Sequence, residues 1–210
     1  MGKLKMSKLI LSMCGTNCYI IYNSESKDGF IIDPADSPER IDDAVKQLGV
    51  TVKAILLTHG HFDHIGAADA LKRKYDVRVY AQEEEAEITE NGMLNLSAMF
   101  GDSTSVVVDI KLKDGQQFSM CDFDISVIHT PGHTKGSCCY IVEDEEKKRL
   151  FSGDTLFCGS HGRTDFPTGS ERQIFDSIID KLLVLDDDME VYSGHGQMTF
   201  IGDEKKWYRR

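Results

Sequence analysis

Proline is scarce in this 210-residue chain, at 4 residues, and tryptophan occurs once. No Pro- or Gly-rich stretch separates one part from another, so no linker is expected and residues 1–210 read as a single domain. No window approaches the ~18 uninterrupted apolar residues of a membrane span, which argues against a transmembrane protein. Met1 to Ile10 alternates Lys with Leu and Met and has no continuous apolar core, so a secretory signal is not expected. A disulfide framework is missing too. The six cysteines are scattered, and adjacent Cys138 and Cys139 would face opposite sides of a strand. Reduced thiols in a cytoplasm are the expectation. Cationic charge is also short, with 24 Lys+Arg against 35 Asp+Glu and a net charge of −11. That balance opposes non-specific binding to nucleic acid or to an anionic membrane.

What is present is an ordinary globular mixture, 40% hydrophobic and 28% charged. A chain of this size can bury roughly 70% of its unfolded surface, enough for a core without metal or disulfide staples. Apolar runs at 8–12, 17–23 and 29–33, separated by turn formers, predict an antiparallel meander. Ser37-Pro38 opens a helix whose Ile41, Ala44, Val45 and Leu48 recur at helical spacing, and Gly49 ends it. A strand over 52–58, a His-rich loop, a helix near 65–75 and a strand over 77–81 form the next unit. Further strands are predicted over 106–110, 123–130, 137–142 and 149–152, then a helix over 171–185 and a strand over 190–193. Helices alternating with strand groups in both halves predict a two-sheet α/β sandwich. Glu83-Glu84-Glu85 reads as a solvated helix start.

The loop after the 52–58 strand carries the chemistry: His59-Gly60-His61-Phe62-Asp63-His64. Four potential metal ligands fall within six positions. In extended backbone, residues i and i+2 point the same way, so His59 and His61 can grip one cation. Asp63 and His64 lie where the chain turns into a helix and can reach a second. Imidazole and carboxylate suit zinc, manganese or iron. Three more strand ends offer candidate ligands: His133 in Thr130-Pro131-Gly132-His133, Asp154 in Ser152-Gly153-Asp154, and His195 in Ser193-Gly194-His195. Ligands at successive strand ends converge on one edge of an α/β sandwich.

In order, H-x-H-x-D-H, T-P-G-H-T, S-G-D-T-L-F and G-H-G resemble the metallo-β-lactamase superfamily. A closer resemblance is to glyoxalase II (hydroxyacylglutathione hydrolase) and its short single-domain relatives. Asn17-Cys18-Tyr19, Asp33-Pro34, Gly159 to Pro167 and Thr199 to Glu204 carry it. The resemblance implies a four-layer αββα sandwich with the metal site at one edge of the two sheets. It also implies two divalent ions, zinc favoured, with iron or manganese as alternatives. His59, His61 and His133 would hold metal 1, Asp63, His64 and His195 metal 2, and Asp154 would bridge them. Two such ions can lower the pKa of a shared water towards ~7, giving a hydroxide that attacks a carbonyl carbon. Asp63 would orient that nucleophile, and the reaction expected is hydrolysis of a small-molecule thioester. Arg163 matches the place where glyoxalase II keeps a lysine for the substrate carboxylate, and His161 lies near the same mouth. Cys158 is there too, as a substrate contact or a packed small residue. His129 and Lys135 read as supporting and exposed loop residues.

Two departures from glyoxalase II bear on specificity. The chain ends 15 residues after His195, so the helical C-terminal domain that helps bind glutathione is expected to be absent. Arg163-Thr164-Asp165 replaces the lysine–tyrosine signature. Asp154, where β-lactamases tend to keep a cysteine, argues against a true β-lactamase. The main rival is a persulfide dioxygenase with one iron on His59, His133 and Asp154, suggested by Gly162 to Phe166. A lactonase, a phosphodiesterase and a non-catalytic binding protein are weaker alternatives.

Overall fold

The N-terminal meander forms as its apolar runs require, in a computed structural model that describes residues 2–101 and 103–208. Strand β1 (Leu4–Leu11) pairs antiparallel along its whole length with β2 (Thr16–Asn23). The Lys/Leu/Met alternation at the start is therefore strand period, and β1 begins four residues before the expected Lys8. β3 (Asp28–Ile32) follows antiparallel. Helix α1 (Pro38–Leu48), closed by Gly49, then crosses over to a parallel β4 (Thr51–Leu56).

After β4 the expected helix over 65–75 is two pieces, α2 (Phe62–Ile65) and α3 (Ala68–Tyr75). Ala67 N–H donates to the Pro34 carbonyl instead of continuing the helix. A Cβ at Gly66 would sit 2.4 Å from the Ala35 oxygen, so only glycine lets these segments touch. β5 (Arg78–Gln82), the short α4 (Ala86–Glu90) and β6 (Ile110–Leu112) complete this half. The strand predicted over 106–110 is thus displaced. Val106 and Val108 are buried, but their alternation reflects packing under the sheet rather than ladder pairing.

The second half supplies β7 (Gln117–Met120), β8 (Phe123–His129), β9 (Cys138–Glu143) and β10 (Lys148–Gly153). Helix α5 (Glu171–Asp176) runs on as a π-helix over Ser177–Leu182, where Leu183 N–H reaches back five residues to Ile178. It ends three residues before the expected Leu185. β11 (Glu190–Ser193), β12 (Thr199–Phe200) and α6 (Ile201–Glu204) close the fold. β7 and β12 were not expected; both are short and edge-placed.

The strands form two mixed six-stranded sheets, β1 to β6 in order and β12 to β7 in order. Three apolar layers result. Ile41, Val45 and Leu71 cover the first sheet, Phe30, Phe123 and Tyr140 lie between the sheets, and Ile174, Ile178 and Leu182 cover the second. Cys138 enters the middle layer and Cys139 the outer one, as strand alternation requires. This is the αββα sandwich. At one edge, reciprocal buried tyrosines lock the sheets: Tyr140 donates to Leu57 O (2.8 Å) and Tyr19 to Ser193 O (2.6 Å). Both bonds pin the strand ends that precede the His59 and His195 loops. Among the described residues, no helix is long and apolar enough to cross a membrane.

Candidate metal centre

All seven histidine and aspartate residues singled out by their spacing meet at this edge. His59, His61 and His133 offer ring nitrogens within 4.8 Å of one another, and Asp63, His64 and His195 form a second group on the same criterion. Asp154 lies between them. Its Oδ1 is 3.4 Å from His64 Nε2, and its Oδ2 is 3.5 Å from His133 Nε2 and 3.4 Å from His195 Nε2. A Cβ at Gly194 would come within 2.2 Å of Asp154 Oδ1, so a side chain there would fill the space between the groups.

The opposite nitrogens are held by the protein. His64 Nδ1 meets Asp33 Oδ2 (2.9 Å), His133 Nδ1 meets the Arg163 carbonyl (2.7 Å) and His59 Nδ1 meets Thr58 Oγ1 (3.2 Å). Such outer contacts fix ring orientation and leave the facing nitrogen as an electron-pair donor. Asp33 also accepts from the Thr58 amide and hydroxyl, so its oxygens are already engaged and it acts as a support. Three inward atoms, His59 Nε2, His61 Nε2 and Asp154 Oδ1, are buried without a hydrogen-bond partner among the described residues. His61 Nδ1 and His133 Nε2 face each other at 2.8 Å. Orphaned buried acceptors are costly unless something satisfies them, and this donor set fits divalent cations.

The two groups differ electrostatically. Burial drives His59 well below the ordinary histidine value, and burial with the neighbouring His133 takes His61 to about 3. Burial likewise lowers His133. These three are neutral, ready ligands. For His64, burial is outweighed by Asp154, Asp63 and Asp33, and the imidazole stays well above its usual value. For His195, burial is outweighed by hydrogen bonds to Asp154 and Asp63, which raise it to about 9. Burial opposes ionisation of Asp63, but His64 and His195 hold the carboxyl at about 2.

The remaining expected residues divide. Arg163 lines a cavity of about 440 Å³ above the centre. Its guanidinium, however, forks onto Asp165 (both bonds 2.6 Å). His161 does not line this cavity: its Nδ1 meets Tyr208 Oη (3.0 Å) and its ring packs on Phe175. Cys158 lines an adjoining cavity beside Gln197. His129 Nε2 pairs with the Lys135 carbonyl (2.8 Å), a support for the His133 loop, and Lys135 pairs with Glu87.

One expectation fails outright. Glu85 is fully buried, not solvated. Its carboxylate accepts from Gly60 N–H (2.7 Å) and Thr134 Oγ1–H (2.8 Å), clamping the His59–His61 loop to the His133 loop. An acidic triplet hides one inward member, and only its place after β5 gives a signal. Thr16, which donates to Asp63 Oδ2 (3.0 Å), was likewise missed.

The model of the metallo-beta-lactamase superfamily matches residues 11–195. Hydroxyacylglutathione hydrolase GloC of Haemophilus influenzae is 38% identical over 196 residues, covering 90% of each chain. Among solved structures, the BLEG-1 B3 metallo-beta-lactamase is 38% identical with a TM-score of 0.90, covering 96% of this chain and 97% of that one. ETHE1 from Myxococcus xanthus is 27% identical with a TM-score of 0.80, covering 98% of this chain and 84% of that one. The chain belongs to the metallo-beta-lactamase superfamily, whose members bind divalent metal ions, and it carries a His-rich site fit for them.

Proposed function

We propose that this protein is a dinuclear metal-dependent hydrolase of small-molecule thioesters, of the glyoxalase II kind. The observation that carries the reading is the pair of donor groups sharing one carboxylate, Asp154. His59, His61 and His133 would hold one ion, and Asp63, His64 and His195 the other. Zinc is favoured by the histidine-rich donor set, with iron and manganese also suited. Divalent ions bound there supply a Lewis acid for the carbonyl oxygen and a water that ionises near neutral pH.

The chain's own groups do the rest. Asp63 Oδ2, which accepts from Thr16 and lies 3.5 Å from His195 Nε2, would hold the proton of the attacking water and orient its lone pair at the carbonyl carbon. Phe157 and Phe166 line the cavity beside the ligands and give the reacting atoms an apolar wall. Similarity to the hydroxyacylglutathione hydrolase GloC supports the thioester assignment. Free thiols at all six cysteines support a reducing, cytoplasmic setting.

Asp63→Ala tests the role given to that carboxylate. Thioester turnover should fall by about 10²-fold or more, with loss of one bound metal. A variant that keeps two metals and full activity would contradict the assignment.

A further inference from the structure

The cavity over the metal centre is walled mainly by apolar side chains. Phe62 and Phe100 pack with ring centroids 4.5 Å apart, and Leu96 and Met99 complete that wall. Met99 and Phe100 are 66% and 60% exposed, an unusual cost for large apolar groups unless something covers them in use. The wall is anchored at its base. Asn95, fully buried, accepts from the Phe62 amide through its carbonyl (2.8 Å) and donates its side-chain amide to Thr104 O (2.8 Å). Leu96 is held in the left-handed region at φ 70, a costly conformation for a branched residue and one that tends to persist at ligand sites.

Charge is arranged to match. The only Lys or Arg among the described residues lining this cavity and its two neighbours, of about 310 and 280 Å³, is Arg163. Its fork is already closed bidentately on Asp165, and its Cζ lies 4.0 Å from the Phe166 ring centroid. Lys8 donates to the Gly196 carbonyl, at 3.5 Å, on the outer rim. Acidic groups, Asp36, Asp63 and Asp154, line the same space. A substrate arm bearing free carboxylates, as glutathione does, meets no unpaired lysine or arginine among these lining residues.

We propose that the site selects thioesters with an apolar, uncharged arm, held on the Phe62–Leu96–Met99–Phe100 wall, rather than thioesters of an anionic peptide thiol. This deepens the thioesterase reading and rests on it. The experiment compares acetyl, butyryl and hexanoyl thioesters of N-acetylcysteamine and of glutathione on the metal-loaded protein. For the neutral series kcat/KM should climb about three- to fourfold per buried methylene, and the neutral thioester should equal or exceed its glutathione counterpart. Phe100→Ser and Met99→Ser, at exposed positions, should cost about tenfold more on hexanoyl than on acetyl substrate, through KM. Arg163→Ala should leave the ratio of glutathione to neutral turnover within threefold.

A flat chain-length profile with a tenfold preference for glutathione, lost in Arg163→Ala, would overturn the proposal while leaving the thioesterase reading intact. Aryl esters and lactones of the same acyl series separate the two. If they are hydrolysed with the chain-length rise and thioesters are not, the thioesterase reading fails and the apolar selectivity stands. Calorimetric binding of hexanethiol against glutathione reads the preference without turnover. Tighter hexanethiol binding is expected, and tighter glutathione binding would overturn it.

Discussion

Replacing Asp154 by alanine should strip the centre of function and destabilise the metal-free fold together. The carboxylate is buried and faces His64, His133 and His195 at 3.4 to 3.5 Å. In the metal-free protein it balances the charge on His64 and His195, both raised by their carboxylate neighbours. Its loss leaves His64 with Asp33 and Asp63 and His195 with Asp63, a buried charge set only partly compensated, at about 3 kcal/mol. A urea titration of metal-free protein should therefore show an unfolding free energy lower by that amount. In the loaded protein the shared ligand is gone, so metal content should fall below two per chain. Turnover should drop by about three orders of magnitude, the scale on which single groups placed at developing charge act. A variant with normal stability and normal metal content would remove Asp154 from the bridging place.

Glu85→Ala should act on the same centre without touching it. The substitution leaves the buried Gly60 N–H without its acceptor, at about 1–3 kcal/mol, and turns the Thr134 hydroxyl over to Ser137 Oγ at 2.7 Å. The two histidine loops are then free to part, and metal affinity should fall by about 10- to 100-fold, as when outer supports of ligands are lost. Competition with a chromophoric chelator reads that change directly. pH gives an independent check. Burial raises the Glu85 carboxyl from 4.5 to about 7, against hydrogen bonds from Thr134, Gly60 and Gly136 that lower it. A raised group contributes stability in full below its unfolded value and loses it as pH rises through the folded value. Metal-free wild type should thus lose stability relative to Glu85→Gln between about pH 4.5 and 7, on the order of 3 kcal/mol. A pH-independent difference would show that Glu85 does not titrate where its burial puts it.

The ligand candidates were legible because their loops follow strand ends, with Asp63 and His64 where the first loop enters α2, and strand ends are what the apolar runs mark. His59-x-His61 follows β4, and His133, Asp154 and His195 follow β8, β10 and β11. Convergence then needs only the sandwich. What escaped notice depends on contacts between distant segments. Glu85 reads as one of three surface acids until Gly60 and Thr134 are brought to it, 25 and 49 residues away in sequence. The Arg163–Asp165 pair is local, yet two residues of opposite sign do not announce that they close on each other. The apolar wall from Leu96 to Phe100 has no strand or helix period, since it is a 3₁₀ turn fixed by Asn95. The displaced strand near Val106 shows the converse error: alternation reports burial, and burial does not require a ladder.

The central claim, two ions on unlike ligand sets, is tested most directly by titrating zinc into metal-free protein while following heat, proton release and thioester hydrolysis. His59, His61 and His133 are held neutral, so the first equivalent should bind at pH 7 with little proton release. His64 and His195, with His195 raised to about 9, must shed protons, so the second equivalent should weaken as pH falls from 9 to 6. Hydrolysis should appear with that second equivalent. Saturation at one metal per chain, with oxygen uptake on a persulfide when that metal is iron, would contradict the account.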